Sequence, residues 1–229
     1  LLAAWAQLQG SSATPVTCIL EQRLPLIGEC SVVLARNDEG HHAHLPVQCN
    51  VHRGGILALT EVADGLVPPA LESALVQAAV AIAEGLHYVG VLCVEFFIVS
   101  APADQVSWVV NEIAPRPHNS GHHSMDSCDV SQFDLQVRCM ARLPLPTPRL
   151  HSPCVMLNLL GDVWLASGAT PREPDWAAVL ALPGVHLHLY GKAEPRHGRK
   201  MGHLTVTAAT IREARAVAAQ AARVLGLPS

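Results

Sequence analysis

A glutamate stands in the middle of an apolar run, Val91-Leu92-Cys93-Val94-Glu95-Phe96-Phe97-Ile98-Val99. A second strand-like run, Val106 to Ile113, contains another acid, Glu112, beside Asn111. Ala101-Pro102-Ala103-Asp104 reads as the turn between them. A hairpin of that length brings Glu95 and Glu112 side by side on adjacent strands. Val94, Phe96 and Ile113 flank the two acids, which implies that both carboxylates are buried. Burying a carboxylate is costly unless something compensates it. One divalent cation compensates two, and Mg2+ takes one or two carboxylates together with phosphate oxygens. The competing reading is a pair of exposed acids on a solvated sheet face.

The chain continues as Asn111-Glu112-Ile113-Ala114-Pro115-Arg116-Pro117-His118-Asn119-Ser120-Gly121-His122. Arg116 suits bidentate capture of phosphate or carboxylate. Asn119-Ser120-Gly121 can present donors to an anion; alternatively, it is a polar loop held by its own Asn and Ser turns. Thirteen arginines are set against two lysines, and both lysines fall in Gly191-Lys192-Ala193-Glu194-Pro195-Arg196-His197-Gly198-Arg199-Lys200. A lysine is a compact point charge where arginine is a planar fork, so the segment reads as a second anion-binding element. Carboxylates, a cation and anion binders together point to phosphate chemistry.

The 229 residues, half of them hydrophobic, suffice for a sizeable core in one or two domains. A formal charge of −4 gives no general attraction to nucleic acid, and no uninterrupted apolar run is long enough to span a membrane. Seven cysteines are scattered singly and form no CxxC pair. They read as reduced, buried small hydrophobes of a cytoplasmic protein.

Strands are expected at 17–23, 28–36, 42–52 and 56–62, in an antiparallel meander. A helix opens at Pro68-Pro69 and runs from Ala70 to Leu86. Ser131-Gln132-Phe133-Asp134 is a capping box that starts a helix to about Leu143. The proline-rich stretch Pro144 to Pro153 reads as a linker, dividing the chain into 1–150 and 151–229. Strands at 154–160, 185–190 and 200–207 follow, with a short helix near 175–182. A box at Thr210-Ile211-Arg212-Glu213 opens the last helix. Thirteen histidines raise the question of zinc, with His41, His42 and His44 beside His118, His122 and His123. No HExxH and no cysteine at ligand spacing supports it. His186 and His188 alternate on one strand face and read equally as structural or functional. Walker, GxGxxG and GxSxG motifs are absent from the sequence.

Asn111 to His122, Ser131-Gln132-Phe133, Cys154 to Gly161, His186 to Lys192 and Gly198 to His203 follow one another in an order and spacing that resembles 5-(carboxyamino)imidazole ribonucleotide synthase. The resemblance implies an α+β fold: the later part of an ATP-grasp module, a mostly antiparallel sheet with flanking helices, plus a small C-terminal α+β domain. It implies an ATP-dependent ligase of purine biosynthesis that carboxylates 5-aminoimidazole ribonucleotide with bicarbonate, through carboxyphosphate. ATP and Mg2+ are the implied cofactors, and a cytoplasmic homodimer the implied state. On these positions Glu21, Gln22, Arg23 and Leu24 resemble the strip against adenine, and Glu29 the acid on the ribose. His52 resembles a nucleotide contact, and Asn111 and Glu112 the polyphosphate and metal site, with Glu95 as second metal ligand. Arg116 and His118 resemble the catalytic pair, and with Asn119 and Ser120 the bicarbonate and ribonucleotide end. Lys192, Arg199 and Lys200 resemble a clamp on the ribonucleotide phosphate. The family's N-terminal domain and glycine-rich loop have no counterpart in these residues, so an N-terminally truncated form is expected. The alternatives are a non-catalytic remnant that binds nucleotide, and another ATP-grasp ligase of purine synthesis.

Overall fold

The computed structural model describes residues 2–10, 14–101, 105–165 and 170–228. The expected turn at 102–104 lies outside them. Nine strands form one antiparallel sheet: β1 (Leu26–Arg36), β2 (His42–His44), β3 (Gln48–Arg53), β4 (Ile56–Val62), β5 (Gly90–Ala101), β6 (Gln105–Ala114), β7 (Cys154–Leu160), β8 (Val185–Leu189) and β9 (Lys200–Thr207). The order is β6-β5-β1-β3-β4-β7-β9-β8, with β2 also on β1. β4 pairs with β7 from Val62↔Cys154 to Leu59↔Leu157. Strands from both sides of the proline-rich stretch therefore share one sheet.

The two faces of the sheet differ. Val32, Leu34, Val94 and Phe96 point to one face and pack on Leu75, Ala79 and Ala83 of α2 (Pro69–Gly85). Leu157, Leu159, Leu204 and Val206 pack on Ala214, Ala218 and Ala221 of α7 (Ile211–Leu225). Strand side chains alternate between faces, so Ser31, Glu95, Asn50, Thr60, Asn158, His203 and Thr205 turn the other way. These residues are all buried. They are covered by the segment 115–128, which holds a 3-10 turn (Asn119–Gly121) and α3 (Ser124–Ser127), and beside it by α4 (Gln132–Ala141). Ser131 and Asp134 close the capping box that starts α4.

Three expectations need correction. Residues 17–23 are not a strand: β1, the strand they lead into, is paired on one edge by β5 and on the other by β2 and β3, and Glu21, Gln22 and Arg23 instead line a cavity with Val109, Val110 and Asn111. Ile19 and Leu20 stay exposed. The single strand 42–52 is two, β2 and β3, interrupted at Leu45-Pro46-Val47, because proline cannot donate to a ladder. The short helices α1 (Leu2–Gln9), α5 (Asp162–Leu165) and α6 (Trp176–Leu180) complete the elements. All seven cysteines are free; five are buried, but Cys18 and Cys49 are only partly so. No helix among the described residues is long and apolar enough to cross a membrane.

Candidate active site

Glu95 and Glu112 are register partners in the β5–β6 ladder, so both side chains leave the same face. The pairing then slips: Glu95 faces Glu112, but Phe96 faces Val110. Asn111 is thus the extra residue of a β-bulge. Plain alternation would send Asn111 and Glu112 to opposite faces. The bulge lets both serve the site, and Asn111 lines a cavity with Phe97 and Val109. That cavity, about 600 Å³, is also lined by Glu21, Gln22, Arg23 and Leu24. The irregular strip before β1 therefore meets the bulge across a space of ligand size. One expectation fails here: Glu112 is exposed, as are its neighbours Val110 and Ile113. β6 ends the strand order and has no outer partner among the described residues.

Glu95 is buried, and its Oε1 has no hydrogen-bond partner. His52 Nε2 lies 3.8 Å from that oxygen and His118 Nε2 4.0 Å. His52 Nδ1 contacts Glu29. Burial raises the pKa of Glu95; His52 and Lys200 oppose the rise, while Glu112 and Glu29 add to it. Burial lowers that of Lys200, with Arg116 and Lys192 adding to the effect and Glu95 and Glu112 opposing it. Three acids and three cations from separate strands and loops thus share one field. Glu29 and His52 stand as a pair beside Glu95 rather than in the cavity at Glu21 to Leu24.

His118 is buried and its pKa falls to about 4, chiefly through desolvation and then through Arg116, Lys200 and His52. It is neutral at pH 7. Ser120 donates its backbone N–H to His118 Nδ1 at 3.4 Å, which leaves the ring proton on Nε2, toward Glu95. The Ser120 hydroxyl lies 2.8 Å from that of Ser31, which accepts from Asn50 Nδ2 at 2.9 Å. Thr60 donates to Asn50 Oδ1 at 2.9 Å. The turn is thereby tied to β1, β3 and β4. Both amide atoms of Asn119 are buried without a partner, an arrangement that costs free energy unless a ligand or water meets it.

Lys192 donates to the Lys200 carbonyl at 2.5 Å and lies over the Tyr190 ring. Arg199 donates to the Glu194 carbonyl at 2.8 Å, so its guanidinium is held on its own loop. Gln132 escaped the sequence reading. Its Oε1 accepts from His118 N and its Nε2 donates to His118 O, both at 2.8 Å, which fixes the backbone of the turn that carries His118, Asn119 and Ser120. The only local signal was a glutamine at the first helical position after a capping serine.

Two further histidines on this segment, the half-buried His122 and the buried His123, set an acid limit. The pKa of each is lowered to about 3, chiefly by desolvation; His118, Lys200, His123 and His188 also depress His122, and His203 depresses His123. Their folded pKa lies below the unfolded value of about 6.5, so unfolding takes up protons. Each costs about 1.4 kcal/mol of stability per pH unit as the pH falls below that value. Glu95, whose pKa burial raises, acts in the opposite sense. The urea midpoint is expected to fall from pH 7 to pH 5 with a slope above one proton; a flat profile would contradict the buried, neutral state.

An ATP-grasp domain model matches residues 2–133, and a phosphoribosylaminoimidazole carboxylase C-terminal domain model matches 154–217. The chain is 39% identical over 204 residues to the N5-carboxyaminoimidazole ribonucleotide synthase of Vibrio parahaemolyticus, covering 88% of this chain and 49% of that protein. It is 42% identical over 206 residues to the Vibrio cholerae protein of that name, covering 89% and 50%. The solved N5-carboxyaminoimidazole synthase of Aspergillus clavatus, in complex with ADP and 5-aminoimidazole ribonucleotide, superposes with a TM-score of 0.77 at 29% identity, over 89% of this chain and 52% of that one. The Staphylococcus aureus enzyme with ADP gives 0.73 at 36%, over 88% and 50%. The chain spans about half the length of the relatives it matches.

Proposed function

The chain belongs to the ATP-grasp family and carries a phosphoribosylaminoimidazole carboxylase C-terminal domain, and from that premise we propose that its site serves the ATP- and bicarbonate-dependent carboxylation of 5-aminoimidazole ribonucleotide. The observation that carries the reading is the bulge at Asn111, which sets Glu112 opposite Glu95 while Asn111 itself lines the cavity with Glu21 to Leu24. The reading also takes the chain as a cytoplasmic homodimer divided at residue 151.

The donor set fits Mg2+: hard carboxylate oxygens, one of them buried without a partner. Glu95 and Glu112 would hold the ion, which when bound neutralises phosphate charge and aids phosphoryl transfer to bicarbonate. Leu24, Phe97 and Val109 give the adenine apolar walls, and Asn111 offers an amide at the phosphate end. Arg116 takes the carboxylate of bicarbonate in a bidentate grip. In the second half-reaction the amine nitrogen bonds to the carboxyl carbon of carboxyphosphate, phosphate leaves, and the nitrogen gives up a proton. His118, neutral at pH 7, suits the acceptor of that proton once its Nδ1 exchanges Ser120 for substrate. Asn119 offers both amide atoms to the ribonucleotide, while Lys192, Lys200 and Arg199 supply cations for its phosphate. On the side of His118, Asn119 and Ser120, which are buried, the site shields from water an intermediate that water destroys.

Calorimetry on the chain tests this. Expected are ADP binding that requires Mg2+ and separate binding of 5-aminoimidazole ribonucleotide in preference to glycinamide ribonucleotide. Preference for glycinamide ribonucleotide would assign the chain to another ATP-grasp ligase. Binding of neither ribonucleotide would overturn the reading.

A further inference from the structure

Farther along the same polar face, away from the paired glutamates, lies a cluster that the proposed reaction leaves unused. His188 Nε2 sits 3.1 and 2.9 Å from the two oxygens of Asp126. A ring nitrogen of His203 joins them, with all three ligand atoms within 4.8 Å of one another. Asp126 comes from α3, His188 from β8 and His203 from β9. We propose that Asp126, His188 and His203 form a binding site for a divalent first-row transition ion of the zinc class.

The free nitrogen of His203 is the second observation. The ring is buried, with Nδ1 3.0 Å from the Tyr190 hydroxyl and Nε2 lacking any partner. A hydroxyl holding one nitrogen while the other stays bare is the outer support that metal-ligating histidines use. Two imidazoles and one carboxylate suit zinc and disfavour magnesium, which takes oxygen. Metal–ligand bonds of about 2.0–2.1 Å place tetrahedral ligands about 3.3 Å apart, so closing the site draws the ligand atoms together and turns the His188 and His203 rings, stacked at 4.6 Å between centroids, out of parallel. His186 shares the strand face with His188, and its Nδ1 lies 3.7 Å from Asp126; it or water would complete the set. Such an ion ties the 115–128 segment to the strands beside Lys192 and Lys200, and so pins both sides of the anion site.

The test uses the chain after chelator treatment. Titration with Zn2+ is expected to give one ion per chain at micromolar or tighter affinity, and Co2+ the visible absorption of a tetrahedral site. His203→Asn should weaken binding at least tenfold. Replacing His41, His42 and His44 together with Asn should leave the stoichiometry unchanged. No stoichiometric Zn2+ on the wild-type chain overturns the proposal whether or not the His203 variant folds, and so does binding that vanishes only in the triple variant. Neither ATP nor ribonucleotide enters the measurement, so its outcome is independent of the proposed reaction.

Discussion

Glu112→Gln is expected to weaken Mg2+-dependent ADP binding by on the order of a hundredfold while leaving the fold intact. The substitution keeps size and hydrogen-bonding capacity and removes one charge. Glu112 is exposed on β6, so no buried group is left unpaired and the melting temperature should stay within a degree or two. What the proposed metal site loses is one of its two carboxylates, which are register partners on adjacent strands, and a carboxylate–metal contact contributes several kcal/mol at such a site. Glu95→Gln is a poorer probe, because Glu95 is buried among His52, His118 and Lys200 and its loss disturbs them as well. Calorimetry with and without Mg2+ reads the effect directly. Equal ADP affinity in wild type and Glu112→Gln would remove Glu112 from the metal site.

Gly161→Ala is expected to cost about 2–4 kcal/mol of stability and to displace Arg199 and Lys200. A Cβ at Gly161 would lie 2.2 Å from the Arg196 carbonyl oxygen and 2.5 Å from its nitrogen. Both are backbone atoms, so no side chain can swing away. The 196–199 turn is anchored there by the Gly161 N–H donating to the Arg199 carbonyl at 2.8 Å, and by Asp162, which accepts from the Gly198 N–H at 2.8 Å. Relief therefore requires the whole turn to lift. On the proposed function, a methyl group added far from the cavity at Glu21 to Leu24 should thus weaken ribonucleotide phosphate binding and spare ADP binding. Denaturant titration reads the first effect and paired calorimetry the second; an unchanged unfolding midpoint would show that the turn yields freely.

The parts read correctly from the chain are those with local causes. Helices α2, α4 and α7 are marked by a proline in the first turn, a serine–aspartate box and a threonine cap. That Glu95 and Glu112 lie on adjacent strands followed from two apolar runs and a short turn, but the hairpin's unslipped register would set Asn111 opposite Glu95, so their direct pairing came from the bulge. The parts misread have distant causes. Residues 17–23 look like a strand, but both edges of β1, the strand they lead into, were taken by β5, β2 and β3. Ile113 looks like core, yet its strand lacks an outer partner among the described residues. Gln132, and the meeting of Asp126 with His188 and His203, join residues far apart in the chain that no spacing rule connects.

The sequence alone determined which residue types are available and which face each strand residue takes relative to its neighbours, because alternation, capping and turn chemistry act within a few bonds. Tertiary structure decided the slip that sets Glu112 rather than Asn111 opposite Glu95, the joining of β4 to β7, and the approach of Lys200 to Glu95. Those depend on which strand edges remain free and which register buries most, quantities that exist only once the chain has folded back on itself.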